Sequence, residues 1–171
     1  MPEPKEHFKD RGWIETILRY IPGFRGYLEK EYRRESDALQ RQWLADRLQR
    51  SKAGIDSVSR QLVDKAQLDA LPQCDRLRGR IDKLIGKISG AMNGYSGFFD
   101  LVQVTEETLD RVYEHDMAIM QDVEAFSEAV ENLPQQTDEA AIVNELAQLM
   151  AQVDQVEVRF DDRAEILAGL A

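Results

Sequence analysis

The chain has 171 residues, of which 43% are hydrophobic and 32% are charged, and its net charge at neutral pH is −10. This length fits one domain, residues 1–171, and so many charged residues are typical of a thin helical bundle rather than of a deep globular core. Because the sequence has no apolar run long enough to span a membrane and no signal-peptide pattern at its start, we expect a cytoplasmic protein.

The charge is divided unevenly along the chain. Residues 1–104 carry 19 Lys and Arg against 15 Asp and Glu, whereas residues 105–171 carry 3 against 17. We expect the acidic C-terminal helices to pack beside the more basic N-terminal ones and to form ion pairs with them. The alternative is that the acidic helices dock a basic partner. Nucleic acid is not expected as a partner, because no face is rich in Lys and Arg without interleaved acids.

We expect residues 1–9 to be disordered and residues 10–24 to form a short amphipathic helix that Pro22-Gly23 ends. Its apolar face either folds back onto the bundle or docks in a partner groove or on a membrane surface. The candidate contact residues of this segment are Trp13, Ile14, Ile17, Leu18 and Phe24.

Residues 26–70 contain no proline and predict a single helix of about 45 residues. Its apolar seam, spaced alternately by four and three, consists of Leu44, Leu48, Ser51, Ile55, Val58 and Leu62. An upstream stripe follows Leu28, Tyr32, Leu39 and Trp43. Since this helix is longer than those that follow, we expect the N-terminal segment, or a second subunit in a homo-oligomer, to cover the stripe.

Residues 72–92 predict a second helix, antiparallel to the first, after a reversal at Leu71-Pro72. The next residues, 93–100, form a turn in backbone terms that is unusually aromatic. Its aromatic residues either fill the end of the bundle or form an exposed recognition tip, and they are Tyr95, Phe98 and Phe99.

Two further helices are predicted over residues 105–133 and 137–168, the first capped by Thr105. Asp116 occupies a position in the seam of the first where an apolar residue is expected, and Arg163 interrupts the seam of the second. We expect a structural or rim-exposed role for Asp116, because an unpaired buried carboxylate costs several kcal/mol.

Candidate catalytic groups are few. With His7, His115 and Cys74 alone, no zinc spacing occurs, and no nucleotide-binding glycine loop is present. Three carboxylates spaced along one helix face are candidate Mg²⁺ or Mn²⁺ ligands: Glu124, Glu128 and Glu131. Through Glu128-Ala129-Val130-Glu131, the chain resembles the Glu-x-x-Glu half of the all-α nucleoside triphosphate pyrophosphatases, but the companion Glu-x-x-Asp of that family does not occur downstream.

The sequence therefore predicts an all-α fold, an elongated antiparallel and coiled-coil-like bundle of four main helices plus a short N-terminal one. We expect a non-enzymatic cytoplasmic interaction or scaffold protein that binds a protein partner and needs no cofactor or metal. The alternatives are an acidic helical-bundle, metal-dependent nucleotide hydrolase and a peripheral membrane protein anchored by residues 10–24.

Overall fold

The computed structural model describes residues 11–27, 30–91 and 105–167, with the backbone alone for residues 11–14, 30, 31, 106 and 167. Within these residues the chain forms five α-helices and no strand, which confirms the all-α prediction. The helices are α1 (Arg11–Tyr20), α2 (Lys30–Asp64), α3 (Leu71–Gly90), α4 (Glu106–Asn132) and α5 (Glu139–Leu167). The predictions for residues 1–9 and 93–100 lie outside the described residues.

The four long helices pack as a ring in which α2 contacts α3, α3 contacts α5, α5 contacts α4 and α4 contacts α2. The hairpin partners are antiparallel, whereas α3 runs parallel to α5. Ion pairs that fix these directions are Lys52–Asp82 and Arg78–Asp56 in the first hairpin, Arg159–Asp122 and Arg163–Asp116 in the second, and Arg80–Asp154 and Lys87–Asp161 between them.

The longest helix, α2, has 35 residues and spans about 50 Å. It ends at Asp64, so the prediction of one helix through residue 70 is wrong at this end. The Gln67 N–H donates to the Leu62 carbonyl at 2.8 Å and the Ala66 N–H to the Val63 carbonyl at 3.0 Å. Ala66 takes the left-handed conformation, with φ of 55°. This is a Schellman ending, with alanine at the position where glycine is usual.

The other three main helices begin and end within two residues of the predicted bounds, and Thr105 caps α4 by accepting from the Thr108 N–H. The predicted start of the 26–70 helix is also wrong. Helix α2 begins at Lys30, and Gly26 and Tyr27 lie before it in non-helical backbone. Gly26 has a φ of 80°. Its left-handed conformation breaks the helix and turns the chain toward α4.

The core of the bundle is one contiguous cluster of buried apolar residues from all four long helices and from the end of α1. Helices α2 and α4 approach each other closely at Gly54. A Cβ on Gly54 would stand 2.1 Å from the Val130 carbonyl oxygen, so only glycine fits there. Near this crossing, Gln61 donates to the Pro134 carbonyl, and together these contacts define one end of the bundle, which we call the hairpin end.

Candidate functional site

At the opposite end of the bundle, buried polar groups replace apolar packing. We call this set the polar cluster, and its members are Tyr27, Asp37, Arg41, Asp116 and Arg163. The Arg163 Nε donates to Asp116 Oδ1 at 2.6 Å, and the Tyr27 hydroxyl donates to Asp116 Oδ2 at 2.5 Å. The Arg163 Nη2 in turn donates to the Tyr27 hydroxyl oxygen at 3.0 Å. Three segments of the chain are thereby joined in one closed triangle of hydrogen bonds.

Asp37 of α2 extends the polar cluster on its other side. Its Oδ1 stands 2.7 Å from Arg163 Nη1, an electrostatic contact without hydrogen-bond alignment. Its Oδ2 accepts from Arg41 Nε at 2.8 Å. Two carboxylates and two guanidinium groups therefore neutralise each other where almost no water reaches, which is the condition under which buried charge is tolerated.

The turn before α2 places Tyr27 in this cluster. The Tyr27 backbone N–H donates to the Tyr113 hydroxyl at 2.6 Å, and the two rings stack with centroids 5.3 Å apart. Gly26 packs directly on the same hydroxyl, where a Cβ would come within 2.4 Å of it. Phe24 packs edge-on against Tyr27. The end of the N-terminal segment is thus held firmly against α4.

The electrostatics of the polar cluster shift the pKa of two of its members, Arg163 and Tyr27. Burial alone would lower the pKa of Arg163, but the negative charges of Asp116 and Asp37 raise it well above its ordinary value. Burial is the main cause that raises the pKa of Tyr27 well above its ordinary value, and the charge of Asp116 is the second. Arg163 therefore stays charged and Tyr27 stays neutral at physiological pH. Through their hydrogen bonds, both groups hold the turn before α2 against α4 and α5.

A second polar feature opens at the surface between α1, α2 and α4. It is a pocket of about 390 Å³, which we call the Trp43 pocket, and it is lined by Tyr20, Trp43, Arg47, Arg50, Glu124 and Glu131. Tyr20, the last residue of α1, packs edge-on against Trp43 with ring centroids 5.4 Å apart. The N-terminal helix therefore covers this part of the predicted apolar stripe and forms one wall of the pocket.

Arg47 joins the two helices at the base of the Trp43 pocket. Its Nε and Nη2 donate to Glu124 at 2.9 and 3.1 Å, and its Nη1 and Nη2 donate to Glu131 at 2.7 and 3.1 Å. Burial alone would lower the pKa of Arg47, but the bonds to Glu131 and Glu124 raise it well above its ordinary value. The guanidinium is a permanent cation held by two bidentate carboxylates.

The structure brings two of the three predicted metal ligands together, but around Arg47. Glu124 and Glu131 both bind its guanidinium, whereas Glu128 lies exposed on the outer surface of α4. Across the described ranges, no group of three or more His, Cys, Asp and Glu side chains is arranged to hold a metal ion. The guanidinium thus occupies the position between the carboxylates that a metal ion would need.

The predicted interaction residues are divided by the fold. Ile17 and Phe24 are buried in the bundle, while Leu18 remains 43% exposed. Trp13 and Ile14 lie in α1, with only their backbone described, and Tyr95, Phe98 and Phe99 lie outside the described residues. A docking role for this set stays a prediction. In the part of the chain that the structure describes, no helix is both long and apolar enough to cross a membrane.

Sequence reasoning missed Arg47, Trp43 and Tyr20 as members of one site. The available signal was the seven-residue spacing of Glu124 and Glu131, which places both on one stripe of α4, and a basic residue beside the seam of α2. Comparisons with protein-family models, curated proteins and solved structures find no match to this chain.

Proposed function

We propose that this chain is a non-enzymatic cytoplasmic interaction protein, and that it docks a basic protein partner along the exposed face of α4. The observation that carries the proposal is the distribution of carboxylates that remain after internal ion pairing. On α5, Asp154, Glu157 and Asp161 all pair with basic residues of α3. This flank of the acidic hairpin is neutralised within the fold.

The outer face of α4 is different. Four exposed carboxylates along it have no basic partner within residues 11–27, 30–91 and 105–167, and they are Glu107, Asp110, Glu114 and Glu128. Arg111 is the only Lys or Arg in the α4 sequence. Like charges spaced three or four residues apart on one helix destabilise it, and a cationic surface that bound there would relieve this repulsion.

A face with a net negative charge also favours association on physical grounds. The net charge of −10 attracts cationic partners over a Debye length of about 8–10 Å and raises the rate of encounter. We expect binding to weaken as salt is raised.

We also infer an elongated, coiled-coil-like bundle, because α2 alone spans about 50 Å. Small-angle scattering that gave a compact sphere would refute that shape.

The test uses the full chain and a fluorescent ten-residue lysine peptide, followed by anisotropy. The test variant replaces all four α4 carboxylates: Glu107→Gln, Asp110→Asn, Glu114→Gln and Glu128→Gln. The matched control makes the same change in net charge at exposed acids elsewhere: Glu35→Gln, Asp64→Asn, Asp69→Asn and Asp75→Asn.

We expect the α4 variant to lose about tenfold or more in affinity, since each exposed charge pair contributes about 0.2–1 kcal/mol, and the control to lose much less. Equal losses in the two variants would show that the peptide senses net charge alone and would refute the α4 site. The absence of binding to the native protein at low salt would refute the proposal as a whole.

A further inference from the structure

The Trp43 pocket holds two carboxylates around the buried guanidinium of Arg47, and the second cation of its lining, Arg50, balances their charge. Arg47 supplies one positive charge, while Glu124 and Glu131 supply two negative charges. The side chain of Arg47 is only 9% exposed, but those of the two glutamates are 27% and 41% exposed. A carboxylate has about four lone-pair sites, and Arg47 uses two on each. All four oxygens already accept from Arg47, but each keeps a further lone pair, so both glutamates can also accept from a second cation.

Aromatic surface stands beside these carboxylates. Trp43 and Tyr20 line the same pocket, and their edge-on contact holds both rings in place. An ammonium or guanidinium group within about 6 Å of an aromatic centroid is attracted by the ring, most strongly by tryptophan. A volume of about 390 Å³ lies in the range of roughly 300–1,000 Å³ that small-ligand sites occupy.

Arg50 lies at the rim, exposed and without an ionic partner in the described part of the chain. Its long side chain is solvated, so a bound cation would be repelled by it weakly, and an anion would be attracted by it. The charge of Arg50 thus gives the pocket a property that can be measured: removing it changes the affinities for cations and anions in opposite directions.

We propose that the Trp43 pocket binds a single basic side chain, the ammonium of a lysine or the guanidinium of an arginine, with its aliphatic part against Trp43 and its charge at Glu131 and Glu124. The identity of the donor as the partner docked on α4 rests on the function proposed above, whereas the pocket's preference for a cation does not. The pocket adjoins α4, so one partner can occupy both surfaces.

The experiment measures the fluorescence of Trp43 directly. The chain has two tryptophans, so Trp13→Phe leaves Trp43 as the only one. This protein is titrated at constant ionic strength with n-butylammonium, methylguanidinium and butyrate. We expect a saturable change with either cation, with a dissociation constant of about 1–10 mM, and none with butyrate. Saturation by butyrate with no response to the cations would overturn the proposal.

Three further substitutions, made in the Trp13→Phe protein, test how individual charges change the affinity of the pocket for small cations. We expect Glu131→Gln to weaken cation binding about two- to fivefold and Arg50→Gln to tighten it by about twofold. Glu35→Gln is the matched control, with an equal loss of charge at an exposed position of α2 outside the pocket, and should leave the affinity unchanged. Circular dichroism and melting curves verify that each variant folds. Equal effects of Glu131→Gln and Glu35→Gln would contradict a site in the pocket.

The two proposals fail in different ways. If the small cations give no saturable change but the lysine peptide still binds through α4, the pocket is not a cation site and the proposed function stands. If the small cations bind at Trp43 but the lysine peptide does not bind the native protein, the pocket site stands and the proposed partner is wrong.

Discussion

The two ends of the bundle exclude water equally well but are held together by different interactions. Toward the hairpin end, the inward residues of α2 are apolar or small, as at Ile55, Val58 and Leu62. Toward the other end, four successive inward positions of α2 are polar: Ser36, Asp37, Gln40 and Arg41. Apolar packing requires only volume and shape, whereas each buried polar group requires a particular partner. The two ends should therefore respond very differently to substitution.

Removing one charge of the polar cluster should change the stability of the fold more than any other substitution considered below. We expect Arg163→Ala to lower the free energy of unfolding by about 3–5 kcal/mol, because Asp116 and Asp37 lose their buried cation. Arg159→Ala, one turn earlier on α5, removes an exposed pair with Asp122 and should cost about 1 kcal/mol or less. Urea denaturation measures both variants. A similar, small loss of unfolding free energy in both variants would show that the buried charges stabilise the fold no more than an exposed ion pair does.

A substitution at the hairpin end tests the apolar packing of the other half. We expect Gly54→Ala to destabilise by about 1–3 kcal/mol, because the new Cβ meets the rigid backbone of Val130 and must push α4 away. Gly86→Ala on α3 is the control, since a Cβ there meets nothing within 4 Å and should stabilise by about 0.5–1 kcal/mol. If both substitutions stabilise, the close crossing of α2 and α4 does not exist in solution.

The end of α2 offers a gain in stability. Ala66 occupies a left-handed conformation that costs an alanine about 1–2 kcal/mol, so we expect Ala66→Gly to raise the free energy of unfolding by about 0.5–1 kcal/mol. The same substitution at Ala53, exposed within α2, should instead lower it by about 1 kcal/mol. Thermal melting distinguishes the two, and a loss at Ala66 would mean that α2 continues past Asp64.

The rim between α3 and α5 should give the smallest effect, and one that depends on pH. The hydrogen bond from Lys83, with the neighbouring Lys87, lowers the pKa of Glu157. A carboxyl whose pKa is lower in the folded state stabilises above its unfolded pKa, and this contribution disappears as the pH falls from about 5 to 3. Glu157→Gln should therefore cost about 0.2–1 kcal/mol at pH 7 and almost nothing at pH 3.

The control for this effect is Glu145→Gln, on the same helix and half-buried, with no basic partner in the portion of the chain described. We expect its melting temperature to follow that of the native protein at both pH values. A loss from Glu157→Gln that is the same at pH 3 and pH 7 would show that the side chain contributes through packing and not through its charge.

The sequence was sufficient to predict most of the helical structure in the apolar half of the bundle, toward the hairpin end. Helical periodicity in the seams of α2, α3, α4 and α5 is a local property, so it predicted those helices and most of their bounds. The end of α2 was missed because Ala66 has no preference for a left-handed conformation and no proline or glycine follows until Pro72. The tertiary packing of the turn, not a local signal, determines that boundary.

The polar half shows the limit of sequence reasoning. Asp116 and Arg163 were each recognisable as a polar residue in an apolar seam, but their meeting depends on the axial alignment of α4 and α5. Tyr27 and Asp37 gave no comparable signal, since both lie in a polar stretch of the chain. The Trp43 pocket likewise depends on how α1 and α4 align beside α2, and periodicity within one helix does not specify that alignment.

The triangle formed by Tyr27, Asp116 and Arg163 also has a consequence for the order of events in folding. The bond between Arg163 and the Tyr27 hydroxyl joins residues 136 positions apart, whereas each helical hairpin forms through contacts nearer in sequence. Contacts between distant residues close large loops and are expected late, after the folding transition state has been crossed. Tyr27→Phe removes only the bonds of the triangle that span 89 and 136 positions, so it should accelerate unfolding while leaving the refolding rate almost unchanged. The polar cluster would then govern how long the native bundle persists once it has formed.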